Sequence, residues 1–367
     1  RRQRQMCIRD RVSNAKLSDI LMAPVNGFSD SMEVCIFILI LGGFLAVVTK
    51  TGALENGIAV LVKKMKGKEL WLIPILMFIF SIGGTTYGML EETVGFYILL
   101  AATMVAAGYD TIVGSAIVLL GAGSGVLGST VNPFAVGVAI NALPEGIQAN
   151  QTIILLLGVI LWLTAYGISV YFVMKYAKKV KEDKGSTFLS LQERKDMKTE
   201  FIDKQEDKKD VKLSTKQKVV LWLFGLTFVV MILGFIPWVD FGIISEEVAD
   251  AGTHWTALLT GTCFGWFYFL DAATWFLLMA VVIGVVYGMS EKEWVDTFVK
   301  GVGDIVSVVL IVAVARGVKV LMDTTGLGDY IITKSVNALA GTPGYVFAPL
   351  DYLLHIGLSV LIPSSSG

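Results

Sequence analysis

From Thr111 to Pro144 the chain runs thirty-four residues without a charged side chain, and GSTVNPFA, residues 128 to 135, lies in the middle of that run. A helix needs about 20 apolar residues to cross the roughly 30 Å hydrocarbon core of a bilayer, so the stretch has the length for lipid. Its centre does not suit a plain span. Pro133 withholds a backbone donor and Gly128 loosens the turn before it, so the helix is expected to break there. Backbone freed inside a bilayer is tolerated only where it faces protein or a water-filled cavity. Two readings follow. Either neighbouring helices seal a proline kink, or the freed amides and carbonyls, with Ser129, Thr130 and Asn132, serve as ligands in a cavity.

The rest of the chain agrees with a membrane setting. It is 54% hydrophobic and 17% charged, with a mean hydropathy of +0.69, too apolar for a soluble domain of its length. Further uncharged runs of spanning length are Leu70 to Leu90, Thr152 to Met174 and Val219 to Trp238. A barrel would instead show alternating segments of about 10 residues, so the fold class read here is an all-α integral membrane protein. Cys7, Cys35 and Cys263 have no paired or metal-ligand spacing, and His254 and His355 are the only histidines. No metal site beyond a sodium ion and no catalytic residue is therefore expected, nor any cofactor or nucleic-acid partner. Ser129 and Ser364 are candidate nucleophiles for a membrane-embedded hydrolase, but neither histidine partners them in sequence. A phosphate-cradling GKS or GKT loop is absent, which disfavours a primary pump.

Charge sets the expected orientation. Of thirty Lys and Arg, fourteen lie between Lys175 and Lys218 and four more in KKMKGK, Lys63 to Lys68, whereas residues 141 to 151 and 237 to 255 carry none. The first two segments are placed in the cytoplasm and the last two outside, with the lipid bilayer of the inner cell membrane between them. Residues 1 to 20, with RRQRQMCIRDR, show no initiator Met and no periodicity and are read as a non-native or disordered terminus. Residues 21 to 174 are read as a first repeat: a span, an amphipathic helix with Leu54, Ile58, Leu61, Val62 and Met65 on one face, a re-entrant hairpin, a broken helix and a span. Residues 175 to 218 read as a solvated cytoplasmic linker, with a small helical insertion as the alternative. Residues 219 to 367 read as a second repeat truncated at its hairpin tip, because LIPSSSG stops inside an apolar segment.

The repeat rests on two matches in the same order. TKTGALENGIAVLV (49 to 62) aligns with DTTGLGDYIITKSV (323 to 336), and GTTYG (84 to 88) with PSSSG (363 to 367). Counting crossings makes the copies inverted, a design that recurs in secondary transporters with discontinuous helices and sites near the midplane. At the first tip Thr85 and Thr86 offer hydroxyls, and Glu91 and Glu92 open the returning arm, where a helix N-terminus favours carboxylates. Those carboxylates are either ligands at depth or simple caps near the interface. Arg316 and Lys319 are expected to snorkel or to pair with Asp323, in a structural role.

GGTTYGMLEET, the run GYDTIVGSAIVLLGAGSGVLGSTVNPFA, the ARG turn before the second repeat and the terminal PSSSG together resemble the YfcC-like branch of the anaerobic dicarboxylate carrier (DcuC-type) family. The resemblance covers about residues 20 to 367. It implies the ion-transporter superfamily fold, with inverted repeats, re-entrant hairpins and broken helices, and a homodimer whose transport domains move against a scaffold. It also implies that the first membrane helix and the segments after the second tip are absent from this chain. By matching position, Thr85, Thr86, Ser129, Thr130, Asn132 and Ser364, Ser365 and Ser366 would lie near substrate or cation. The expected function is secondary active transport of a small organic ion, driven by a sodium ion or proton gradient or by exchange. An amino acid or peptide-like zwitterion is favoured, a dicarboxylate is the alternative, and sequence does not separate a carrier from a channel.

Overall fold

The computed structural model describes residues 12–65, 67–132, 135–136, 139, 150–197, 199, 212–236, 238–239, 243–250, 257–339 and 341–361. Among these, every regular element is a helix: α1 (Leu17–Asp30), α2 (Met32–Lys50), α3 (Ala53–Lys64), α4 (Leu72–Tyr87), α5 (Tyr97–Ala106), α6 (Thr111–Gly128), α7 (Gln151–Glu182), α8 (Leu191–Met197), α9 (Thr215–Phe235), α10 (Glu246–Asp250), α11 (Ala257–Thr260), α12 (Phe269–Tyr287), α13 (Glu291–Thr325), α14 (Leu327–Leu339) and α15 (Gly344–Leu361), with short 3-10 turns at Glu69–Trp71, Glu91–Phe96 and Lys184–Ser186. Seven stretches among the described residues are long and apolar enough to cross a membrane, namely α2, Glu69–Tyr87, α6, Thr152–Glu182, α9, α12 and α13. The chain is an all-α, multi-pass membrane protein. It forms two compact units, residues 37–304 and residues up to 36 with 305–367, the boundary falling inside α2 and inside α13.

In the larger unit α6 is the hub, packed by α4, α5 and α7. Glycines set its direction against α4. A Cβ at Gly121 would lie 3.0 Å from Met77 O, and one at Gly125 would collide with Ser81 O and sit 2.8 Å from Thr85 N. Positions rise together on both helices, so α4 and α6 run parallel, backbone against backbone. The segment between them therefore returns to the end from which α4 set out. At 1.5 Å per residue the sixteen residues of α4 reach about 24 Å from that end. An aromatic cluster packs beside α4: Phe44 stacks on Phe224 at 5.9 Å and meets Phe276 edge-on at 4.9 Å, while Phe96, at the end of the hairpin's 3-10 turn, meets Phe228 at 5.6 Å and Phe80 of α4 at 5.4 Å. α3 lies with Gly57 against Leu221 of α9, its buried face starting at Ala53 and Leu54.

The other end of this bundle is basic and tightly bonded. Asp110 caps α6 by accepting from Val113 N at 3.0 Å, and its second oxygen accepts from Tyr176 Oη and Thr187 Oγ1, each at 2.6 Å. Lys181 reaches Glu69 at 3.0 Å and stands 4.9 Å from the centre of the Tyr109 ring. α7 runs on to Glu182, past the point where lysines begin. The charge-rich segment that follows is folded at its start. Asp183 caps the 3-10 turn through Gly185 N, and that bond, with the Ser186 hydroxyl, holds its carboxyl below the usual range. Phe188 stacks on Tyr176 at 5.0 Å, and Arg194 of α8 donates to the carbonyls of Gly185, Thr187 and Leu189.

In the smaller unit α1 crosses α13 with no room for side chains: a Cβ at Gly27 would collide with Ala313 O and Gly317 N. Asp30, at the end of α1, accepts from Arg316 Nε at 2.8 Å and lies 3.9 Å from Lys319 Nζ. The expected partner Asp323 is thus replaced by Asp30, which the glycine crossing brings within reach.

The two stretches aligned in sequence share a spacing of left-handed glycines. Gly52 and Gly326 follow their threonines with φ of 66° and 70°, and further along Gly67 and Gly341, at the same spacing, have 83° and 84°. In the register these set, Gly27 corresponds to Gly301 and Gly43 to Gly317. Both crossings obey it: Gly27 meets Gly317 in the smaller unit, while in the larger a Cβ at Gly301 would lie 2.5 Å from Gly42 O and one at Gly43 would press on the Phe298 ring.

Candidate functional site

The parallel run of α4 and α6 brings two chain interruptions to one level. α4 stops at Gly88, whose φ of 80° turns the chain left-handed, and Gly88 N and Met89 N close the end on Gly84 O and Gly83 O at 3.0 and 3.4 Å. α6 stops at Ser129, with φ of 37° the one described non-glycine residue with positive φ. Such a backbone is costly for a residue with a Cβ and persists where its surroundings enforce it. Here Ser129 Oγ donates to Val126 O at 2.5 Å and accepts from Asn132 Nδ2 at 3.3 Å.

Thr85 and Thr130 lock the interruptions together. Thr130 N reaches Thr85 Oγ1 at 3.2 Å, Thr130 Oγ1 reaches Thr85 O at 3.2 Å, the two hydroxyls are 3.1 Å apart, and Val131 N reaches Thr85 O at 3.4 Å. Asn132 is 1% exposed, and a Cβ on Gly88 would fall 2.7 Å from its Nδ2. The structure therefore assembles Thr85, Gly88, Thr130 and Asn132, all buried, with the half-buried Ser129 at one uncharged place. Thr86 is turned into its own helix, donating to Ile82 O at 2.7 Å. Glu91 and Glu92 open a 3-10 turn, but their side chains lie outside what is described, as do Pro133, Ser364, Ser365 and Ser366.

Two walls were not legible in the sequence. On α7, a Cβ at Gly158 would lie 2.7 Å from Gly128 O and 3.2 Å from Thr130 Cα, and Trp162 Cβ presses on Gly128. The Trp162 ring stacks on Phe78 at 5.8 Å, and its indole N–H, sealed from solvent, has no hydrogen-bond partner among the described residues. On the other side Tyr87 stacks on Phe235, the last residue of α9, at 5.1 Å. The ring-on-ring contact fixes the tip beside α9, and a single apolar residue in an apolar helix gives no pattern from which to foresee it.

The family model described as DcuC, C4-dicarboxylate anaerobic carrier, matches residues 9–367, nearly the whole chain. The chain belongs to the C4-dicarboxylate anaerobic carrier family. This carrier-family chain is similar to an "Uncharacterized protein" of Haemophilus influenzae, with 32% identity over 352 residues covering 96% of the chain and 63% of the relative. It is similar also to a protein of Escherichia coli K12 named "Putative basic amino acid antiporter YfcC", with 27% identity over 352 residues, 93% of the chain and 62% of the relative. The chain thus spans less than two thirds of the length of these curated relatives. No solved structure matches it.

Proposed function

We propose that the chain is the larger part of a secondary active transporter whose first substrate or ion site is the Thr85–Thr130 junction. The observation that carries this reading is the meeting of a hairpin tip and a helix break about 24 Å into the bundle, where Ser129 is left-handed and Asn132 is buried. Irregular backbone at such depth belongs where it lines a cavity, and hydrogen bonds of 3.1 to 3.4 Å between neutral groups can be traded for a ligand at small cost. The family description and the relative's name both support carriage of a small organic ion. The basic end of the bundle is placed in the cytoplasm, the membrane is the inner cell membrane, and the full-length protein works as a homodimer with two inverted repeats.

The cargo proposed is an amino acid or peptide-like zwitterion, because uncharged hydroxyl and amide groups gather at Gly88, three residues before Glu91, and the carboxylates of Glu91 and Glu92 would suit an amine, a proton or a sodium ion. The family description favours the second reading, a C4-dicarboxylate. Counterflow in liposomes holding the full-length protein decides between them. Exchange with basic or neutral amino acids supports the first reading, and exchange with dicarboxylates alone supports the second. If neither class exchanges, transport of these ions is the wrong function. Glu91→Gln and Glu92→Gln assayed against sodium concentration and pH locate the coupling ion, and unchanged ion dependence in both removes these residues from the site.

A further inference from the structure

The charge-rich segment turns back on itself as soon as it leaves α7. Glu182, the last residue of α7, lies six residues, about 9 Å, beyond Tyr176 along the helix axis. Phe188 nevertheless returns to the level of Tyr176: the two rings stack in parallel at 5.0 Å, and Phe188 N donates to Tyr176 Oη at 3.2 Å. Residues 183 to 197 therefore form a strap folded back toward the apolar part of the span, fastened from within by Thr187 on Asp110 and by the carbonyl bonds of Arg194. The outer surface of the strap is apolar and bare. Phe188 is 79% exposed, and Leu191, the first residue of α8, is 78% exposed.

The place to which the strap returns decides what that surface meets. Leu161, Ile168, Phe172 and Tyr176 fall at helical spacing on one stripe of α7, and the first three are exposed. α7 is a spanning stretch with almost none of its apolar window buried, so this stripe faces lipid. Phe188 on Tyr176 extends the stripe by one turn. Exposed Lys175, Lys178 and Lys179 stand in that same turn, where apolar surface gives way to charge. Aromatic rings gather at that level of a bilayer, and lysines there meet anionic headgroups. From residue 175 to 197 seven Lys and Arg stand against four Asp and Glu. Two of those carboxylates, Asp183 and Glu193, are taken up by the backbone N–H groups of Gly185 and Ser190.

We propose that the strap is a lipid-contact element: Phe188 and Leu191 seat in the interfacial layer of the leaflet at the basic end of the bundle, with anionic headgroups against Lys175, Lys178 and Lys179. The occupant is the bilayer surface itself, continuous with the lipid already facing α7. Because Thr187 of the strap also holds Asp110, the cap of α6, this seat ties the start of α6 to that leaflet. The inference stands apart from the Thr85–Thr130 junction and does not rest on the transport reading.

Phe188→Cys and Leu191→Cys, each in the full-length protein otherwise free of cysteine, would carry a nitroxide in nanodiscs of phosphatidylglycerol and phosphatidylcholine. Both labels should collide more often with oxygen, which concentrates in lipid, than with a water-soluble nickel chelate. In parallel, trypsin cleavage after Arg194 and Lys195 should be about tenfold slower in nanodiscs containing phosphatidylglycerol than in phosphatidylcholine alone, the worth of one or two lysines at an anionic surface. Phe188→Ser with Leu191→Ser should bring cleavage to the phosphatidylcholine rate at unchanged melting temperature, since Thr187 still holds Asp110. Four results would each overturn the proposal: nickel access at both labels equal to oxygen access, spin–spin broadening that sets the straps of two copies against each other, cleavage indifferent to lipid, or a lipid dependence that survives in the double variant.

Discussion

The two ends of the α4–α6–α7 bundle are bonded in opposite ways. At the basic end Asp110 takes two hydroxyl bonds of 2.6 Å and a backbone bond of 3.0 Å, and a Lys–Glu pair closes at 3.0 Å. At the break, neutral hydroxyls and amides meet at 3.1 to 3.4 Å around a left-handed serine. Charge-assisted bonds are shorter and about twice as strong as neutral ones. The difference runs along one helix: α6 is held by charge-assisted bonds where it starts and by longer, neutral ones where it ends. Stability and transport should therefore respond to different mutations.

The largest effect expected on transport is at the break. Asn132→Ala should reduce uptake to background at near-normal expression and insertion, because it removes a buried amide without adding a charge. Normal uptake by this variant would end the assignment. Asp110→Ala is the counterpart at the anchor. It removes the α6 cap and strands two hydroxyls, so it should lower stability by about 2 to 4 kcal/mol, read as a drop in melting temperature in detergent. An Asp110→Ala protein that melts normally but cannot transport would invert the comparison. Gly88→Ala tests the junction with a smaller change. A Cβ in the left-handed region costs about 1 kcal/mol, and this one would also displace Asn132, so uptake should fall further than melting temperature does. Lys181→Gln should do least, under about 1 kcal/mol, since its ion pair with Glu69 is partly solvated. A larger loss there would show that the Tyr109 contact carries the anchor.

What the sequence made legible was what is local. Glycine, proline and hydroxyl residues inside an uncharged run mark a break without any knowledge of neighbours, and the tip and break that Thr85 and Thr130 mark do meet. The Thr-Gly turns at 51–52 and 325–326 were matched in sequence, and the backbone adds left-handed Gly67 and Gly341 at the same spacing, in stretches of dissimilar sequence. Distant pairing was not legible. Asp110 reads as an ordinary helix cap until Tyr176 and Thr187, 66 and 77 positions away, are brought to it. Asp30 and Arg316 are 286 positions apart, so the nearer Asp323 was the natural partner in one dimension. Gly158 and Trp162 sit in a span whose composition is set by lipid on its other faces, and a small residue there carries no periodic signal.

The parallel course of α4 and α6 has an electrical consequence. Peptide dipoles add along a helix to about half an elementary charge, negative at the carbonyl end, and here two carbonyl ends converge on the junction beside Asn132. No formal charge is needed for that spot to be electronegative. If the junction is the proposed site, a sodium ion, a proton or an amine would be drawn to it and a lone carboxylate repelled. An anionic cargo would therefore have to follow a cation into the site, and order of binding would be written into the direction in which two helices point.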